Sequence, residues 1–334
     1  MKKIDIKSLL SDKKKLAWAI FILLCALYPT MMKTFGSTYL ITIGCYLEIY
    51  IISISGMDIL TGYCGQVSMG HAAFYAIGAY TSAILTTTCG VPVLISMLCG
   101  AILSSVIGAL IAFPCSSLQF HFLALATTAF VNVVQQIAQH SPGGITGNYN
   151  GYFTSGVDIF GYPINTYSKY YYFGFVCTVI FIIFKQKVVN SKIGRAMTAI
   201  RDNVKAANGM GIDVKKYKVI AFAISAFYMG FGGAMLAHLV QYIAPTTFSA
   251  KQSVIFLMML LLGGQASVVG TIVGCLAITV ITESIRSFPA YQVLVMGAIL
   301  LFVILVMPSG LVNTFKGLYA KYKLKKAAKK EEKA

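Results

Sequence analysis

Uncharged, apolar runs as long as a bilayer is thick constrain this chain more than any other feature. Val91 to Phe113, Val219 to Val240 and Tyr291 to Met307 are such runs. A helix rises about 1.5 Å per residue, so about 20 apolar residues cross a hydrocarbon core about 30 Å thick. Of the 334 residues 57% are hydrophobic and 11% charged, where an ordinary soluble domain carries about 25% charge. The expected fold is therefore all-α, a polytopic membrane protein.

The net charge of +17 sits in three places. One block is Lys2, Lys3, Lys7 and Lys13 to Lys15, ahead of the first apolar run. A second runs from Lys185 through Lys187, Lys192, Arg195, Arg201, Lys205, Lys215 and Lys216 to Lys218, and a third lies between Lys316 and Lys333. Only Lys33, Lys169, Lys251 and Arg286 fall outside them. Short basic segments beside apolar spans stay on the cytoplasmic side, so both termini and the internal block are expected there. Charge spread this way does not make the single basic face that nucleic acid requires. The segment KKKLAWAIFILLCALYP lacks an A-x-A-like cleavage site and is expected to anchor the chain. Five of the eight cysteines (Cys25, Cys45, Cys99, Cys177, Cys275) lie in apolar runs and none forms C-x-x-C, so neither a disulfide framework nor a metal site is expected.

Crossing parity organises the rest. Apolar segments at 16–33, 38–57, 70–88, 91–112, 120–139 and 170–184 separate the first two basic blocks. Six is even, which puts 140–169 outside; its glycine- and tyrosine-rich turns suit an outer loop with short structure. Four more segments, 219–243, 253–264, 267–285 and 289–307, precede the basic tail. About ten transmembrane helices are expected, including short or broken ones, with eight spans open if the pair around 253–285 is a re-entrant hairpin. The division is a basic N-terminus over 1–15, a transmembrane domain over 16–311 and a basic tail over 312–334. Within the domain, 140–169 is the extracytoplasmic loop and 185–218 the cytoplasmic one.

Two glycine-punctuated stretches interrupt the apolar pattern. GYCGQVSMGHAAFYAIGAY, from Gly62 to Tyr80, carries Gly65, Gln66, Ser68, Gly70 and His71. Gly264, Gln265, Ala266 and Ser267 echo its Gly65 to Ser68. Interrupted hydrophobic segments in two parts of a transporter point to its pathway, and Gly65, Gln66, Ser68, Gly70, His71, Gly264, Gln265 and Ser267 are the candidates to line one. Ser68 and His71 could meet on a helix, but GQVSMG is not a nucleophile elbow and no nearby acid would orient the histidine. No catalytic residue is expected. Small residues at four-residue spacing, Gly100, Ser104 and Gly108 or Gly270 and Gly274, suit close helix packing in lipid. Ionisable residues within spans are few: Glu48, His121, His238, Glu283 and, near an edge, Asp58. A structural carboxylate, neutralised or paired, is the expected role of Glu48.

The segment SKIGRAMTAIRDNVKAANGMGIDVKKYK places Ile193, Met197, Ile200, Val204, Ala207 and Gly211 at 4-3-4-3-4 spacing. That is one stripe on one helix, suited to the inner leaflet or to a partner's groove. No G-x-x-x-x-G-K-[ST] occurs, so any nucleotide must be bound by another subunit.

Together these motifs resemble a known family. GYCGQVSMGHAAFYAIGAYTSAIL is similar to the signature region of the LivM-type permease subunit of branched-chain amino-acid ABC importers, within the binding-protein-dependent permeases. SKIGRAMTAIRDNVKAANGMGI resembles the cytoplasmic loop through which such permeases contact their ATPase; GGQASVVGTIVGCLAI and MPSGL extend the likeness to about Tyr46 to Leu311. The resemblance implies a bacterial inner-membrane importer of branched-chain or other hydrophobic amino acids working by ATP-driven alternating access. Its partners would be a LivH-type permease, two cytoplasmic ABC ATPases and an extracytoplasmic solute-binding protein, with no cofactor held by this chain. Ile193, Gly194, Arg195, Met197, Ile200, Arg201, Val204, Ala206, Ala207 and Gly211 would form the ATPase-coupling segment. Two departures stand out: Lys205 and Asn208 where a glutamate is usual, and Glu48 and Asp58 where apolar or amide residues are usual. The alternatives are an autonomous ion-coupled carrier or channel, or a related permease for urea, amides or sugars.

Overall fold

The computed structural model describes residues 25–314 apart from 26, 34, 35, 117–119, 160, 161, 287, 307–309 and 313. The basic N-terminus, most of the tail and the MPS of MPSGL lie outside the described residues. After helical turns within 27–33, α1 spans Thr38–Asp58, with the Ser37 hydroxyl capping it by accepting from the Leu40 N–H. It does not stop at Asp58 but widens into a π-helical turn, Ile59–Tyr63. The helices α2 (His71–Cys89), α3 (Val93–Cys115), α4 (Phe120–Gln139) and α5 (Tyr167–Asn190) follow. Next come α6 (Lys192–Asp202), α7 (Val204–Gly209), α8 (Val214–Val240), α9 (Ala250–Gly263), α10 (Val268–Ser284) and α11 (Pro289–Val306). Thr38–Tyr63, Val93–Cys115, Phe122–Gln139, Tyr167–Asn190 and Val214–Val240 are each long and apolar enough to cross a membrane. The helical polytopic expectation is met: the expected segments from 38 onward fall on these helices, with α5 running six residues past 184 and α8 starting five before 219, while most of the 16–33 segment lies outside the described residues.

Helix α8 is the axis of the bundle, packed by α1, α2 and α3 and buried along most of Ala221–Leu239. Small residues permit this. Gly78 of α2 meets the Gly230 backbone of α8 so closely that a Cβ would collide with the Gly230 carbonyl, and Gly100 of α3 rests on Gly78. Ser104 joins the contact by donating its hydroxyl to the Phe74 carbonyl at 3.1 Å. The spaced small residues are thus packing surfaces, because backbones can approach only where side chains are missing. Outward, Leu110, Phe113, Leu125 and Ile180 are exposed, as expected of faces that meet lipid.

The stretch between α4 and α5 holds two short 3₁₀ turns and three two-residue strands, β1 (Tyr152–Phe153), β2 (Asp158–Ile159) and β3 (Tyr162–Pro163). Strand β1 pairs antiparallel with β4 (Tyr242–Ile243), just after α8, so Tyr152 faces Ile243. This places the 140–169 segment at the end of the bundle opposite α6 and α7. His238 is tied into that end, its Nε2 2.8 Å from the Ser82 hydroxyl and its Nδ1 donating to the Ser155 carbonyl at 2.8 Å.

Candidate functional site

At the other end, the two glycine-punctuated stretches meet. The first begins in the π turn, which fits an extra residue into the last turn of α1; such turns recur at functional sites. The Gly62 Cα lies against the Asp58 carboxylate and the Ala266 amide, leaving no room for a Cβ. Asp58 Oδ1 accepts from the Ala266 N–H at 2.7 Å, and the Tyr63 hydroxyl donates to the Ala266 carbonyl at 3.1 Å. Ala266 is held at φ +55° between these two bonds. The two interruptions therefore meet, through Asp58, Gly62 and Tyr63, which lie just before the echoing Gly65 to Ser68 and hold Ala266.

The other oxygen of Asp58 faces Lys185 of α5, with Nζ–Oδ2 2.8 Å and both side chains about 1% exposed or less. Lys185 Nζ also donates to Thr271 Oγ1 of α10 at 3.2 Å. Four segments (α1, α5, the Gly264–Ser267 turn and α10) thus converge on one buried ion pair. Lys185, counted from the sequence as the start of the second basic block, is thus a buried partner and not a surface charge. Its stem leaves the last turns of α5 inward, and a buried ammonium persists only because Asp58 and Thr271 satisfy it. Glu48 is also buried, but its carboxylate packs against Gly174 with no hydrogen-bond partner among the described residues.

Ser68 and His71 form no catalytic pair. The Ser68 hydroxyl accepts from the Gly70 N–H at 3.1 Å. His71 Nδ1 lies 3.2 Å from the Ser68 carbonyl and Nε2 2.9 Å from the Ser225 hydroxyl of α8. A carbonyl only accepts, so Nδ1 carries the proton and Nε2 accepts from Ser225. The Met69 and Ala72 N–H groups donate to Thr127 of α4 and Ser253 of α9, each at 3.0 Å. Gln66, Ser68, Gly70 and His71 are all buried by these neighbours, while Gly65 is exposed at φ +72° with the Arg201 side chain across it. Gly264 turns at φ +106°, and Ser267 caps α10 by accepting from the Gly270 N–H at 3.2 Å. Gln265 and Ser267 are half-buried.

The 191–218 segment corrects the one-helix expectation. Asn203 is extended, φ −159°, and its side chain accepts from the Ala206 N–H to start a new helix. The stripe is therefore split between α6 and α7. On α6, Gly194, Met197 and Ile200 are buried against the chain's own helices, and Ile193 is half-buried. Arg195 and Arg201 are exposed. On α7 only Ala207 is buried; Val204, Ala206 and the adjoining Met210 are exposed, and Gly211 turns at φ +80°. Arg201, expected off the stripe, makes the connection: its Nη1 donates to the Gly62 carbonyl at 2.8 Å and its guanidinium also holds Asp202. The half-buried α6, which leads into the exposed α7, is thus tied to the π turn, and through it to Asp58, Ala266 and Lys185.

Sequence reasoning missed two things here. Lys185 looked like a flanking charge, and its only signal was the otherwise unexplained Asp58. The second is a cavity of about 170 Å³ at the opposite end, lined in part by Tyr46, Tyr50, Tyr75 and Gln252. Tyr46 and Tyr50 share a face of α1 at i, i+4, a spacing visible in the sequence but easily taken for packing.

Residues 39–304 match the family described as branched-chain amino acid transport system / permease component. The high-affinity branched-chain amino acid transport system permease protein LivM of Escherichia coli K12 is 27% identical, covering 96% of this chain and 80% of the relative. A probable LivM of Methanocaldococcus jannaschii is 23% identical over 73% of this chain and 79% of its own length. The ribose import permease protein RbsC of Haemophilus influenzae is 24% identical over 77% of this chain and 78% of its own. No solved structure gives a significant match. With the helical bundle and its membrane-length spans, the match over most of its length makes this chain a LivM-type member of the permease-component family of branched-chain amino acid transport systems.

Proposed function

We propose that this permease carries branched-chain or similar hydrophobic amino acids into the cell, driven by ATP that partner subunits bind and hydrolyse. The complex would contain a companion LivH-type permease, two cytoplasmic ATPases and an extracytoplasmic binding protein. The observation that carries this reading is the Arg201 link between α6, which leads into the exposed α7, and the π turn of a membrane helix. A partner that moves α6 and α7 pulls on the Gly62 carbonyl, and Asp58, Lys185 and Ala266 pass the displacement to α5 and α10. Alternating access needs such a bistable element. The basic block supports a cytoplasmic position for this end, with the β1–β4 end outside. Among the coupling residues named from the sequence, the exposed Val204 and Ala206 are the contact surface, together with Met210; Met197 and Ile200 hold the helix to its own bundle. Gly65, Gln66, Ser68, Gly70, His71, Gly264, Gln265 and Ser267 form the moving joint beside the pathway.

Val204→Asp tests this directly. The side chain is 46% exposed, so the variant should fold and assemble in the membrane. In a complex reconstituted with its ATPases, uptake should fall at least tenfold, through lost docking or lost coupling. Normal uptake and ATP hydrolysis would assign α7 to the membrane surface instead.

A further inference from the structure

The cavity between α1, α2, α8 and α9 has the makings of a solute subsite. Its volume is about 170 Å³, the order of engineered apolar cavities that hold a benzene-sized guest. It opens beside Val240 and Tyr242, which are 42% and 40% exposed, at the β1–β4 end. Three features define what would fit. The aromatic rings of Tyr46 and Tyr50, stacked 6.4 Å apart, and of Tyr75 form one wall. The Tyr75 hydroxyl is buried, in a residue 1% exposed, without a hydrogen-bond partner among the described residues. Thr247 and Gln252, also in the lining, bracket the N-terminus of α9, where Ser249 makes no side-chain capping bond.

Each feature has a chemical complement. Tyrosine faces attract an ammonium group through their quadrupoles. A helix N-terminus presents partial positive charge to a carboxylate. An unpartnered buried hydroxyl lacks a hydrogen bond that a ligand would supply. Leu236 and Ile243 complete the lining with apolar surface, and no Asp, Glu, Lys or Arg lines it. The geometry points to a subsite for a small zwitterion with an aliphatic side chain, its carboxylate at the start of α9 and its ammonium over Tyr46 and Tyr50. This rests on the amino-acid reading above and adds the place and manner of recognition. Tyr46 and Tyr50 lie two to three helical turns before Asp58 on α1, about 12–18 Å away, so one helix joins the subsite to the ion pair.

The test is equilibrium binding of radiolabelled leucine to the assembled, nucleotide-free complex without binding protein, with ATP-driven leucine uptake of the same wild-type preparation measured in parallel. Wild-type should bind; Tyr46→Leu and Tyr50→Leu should weaken binding about tenfold, while the Phe variants, which keep the ring faces, stay within about twofold. Tyr75→Phe should weaken it about threefold or more. 4-Methylpentanoate, leucine without its ammonium, should compete at least tenfold less well than leucine against wild-type. Leucine uptake with no binding, or with binding untouched by the Leu variants, overturns the subsite and leaves the transport reading standing. Binding with this tyrosine dependence but no amino-acid uptake supports the subsite and overturns the transport reading. Neither binding nor uptake overturns both.

Discussion

Asp58 and Lys185 are one unit, and the chemistry of burial says how they should respond to change. Each is a charge withdrawn from water, offset by the other and by the Ala266 amide and Thr271 hydroxyl. Removing one partner strands the other, which typically costs about 3–5 kcal/mol, whereas replacing both with apolar groups of similar size is often neutral. Asp58→Asn should therefore lower the melting temperature of the solubilised protein markedly. Adding Lys185→Met should recover most of it, but not transport if the pair relays motion. Equal stability of the single variant and wild-type would show that the pair is not coupled as its 2.8 Å separation indicates. His71 behaves differently. Fixed as a neutral ring between Ser68 and Ser225, it is a structural hydrogen-bonding group, and Ser68→Ala should leave no hydrolytic activity to lose.

At the scale of elements, the break at Asn203 separates two tasks. Helix α6 is buried along Gly194, Met197 and Ile200, so Met197→Asp should cost folded protein by placing a charge in the core. Helix α7 leaves Val204 and Ala206 exposed, the surface proposed to meet a partner. Arg201 joins α6 to the π turn. Arg201→Ala should leave the ATPases bound and hydrolysing while uptake per ATP falls severalfold, read by parallel phosphate-release and uptake assays. Unchanged stoichiometry would remove Arg201 from the coupling path. The stripe of 3.6-residue periodicity was legible in the sequence, but periodicity counts residues and cannot see a capping side chain turn the chain by one extended residue. The small-residue spacings were legible for the opposite reason: in lipid, close approach depends on missing side chains, and those are visible directly.

For the whole molecule, the helical bundle, its membrane-length segments and the two glycine-rich interruptions could be read because bilayer thickness imposes length and because polar residues in apolar surroundings are rare. What could not be read is tertiary pairing. Lys185 sits next to Lys187 in sequence and reads as surface, while its partner lies over a hundred residues away; the tyrosine-lined cavity joins α1, α2, α8 and α9 in the same non-local way. The bundle also bears on the rival, an autonomous ion-coupled carrier. Among the described residues, Asp58 is neutralised by Lys185 and Glu48 stands apart against Gly174, so the two carboxylates form no relay. Glu48→Gln should leave the rate of solute uptake within about twofold of wild-type; its abolition with assembly intact would favour ion coupling. The most direct measurement is uptake of radiolabelled leucine into proteoliposomes, with this chain alone and with the companion permease, ATPases and binding protein. Uptake that requires every subunit and ATP is the expected result. Robust uptake by this chain alone would contradict the assignment of its drive to partner subunits.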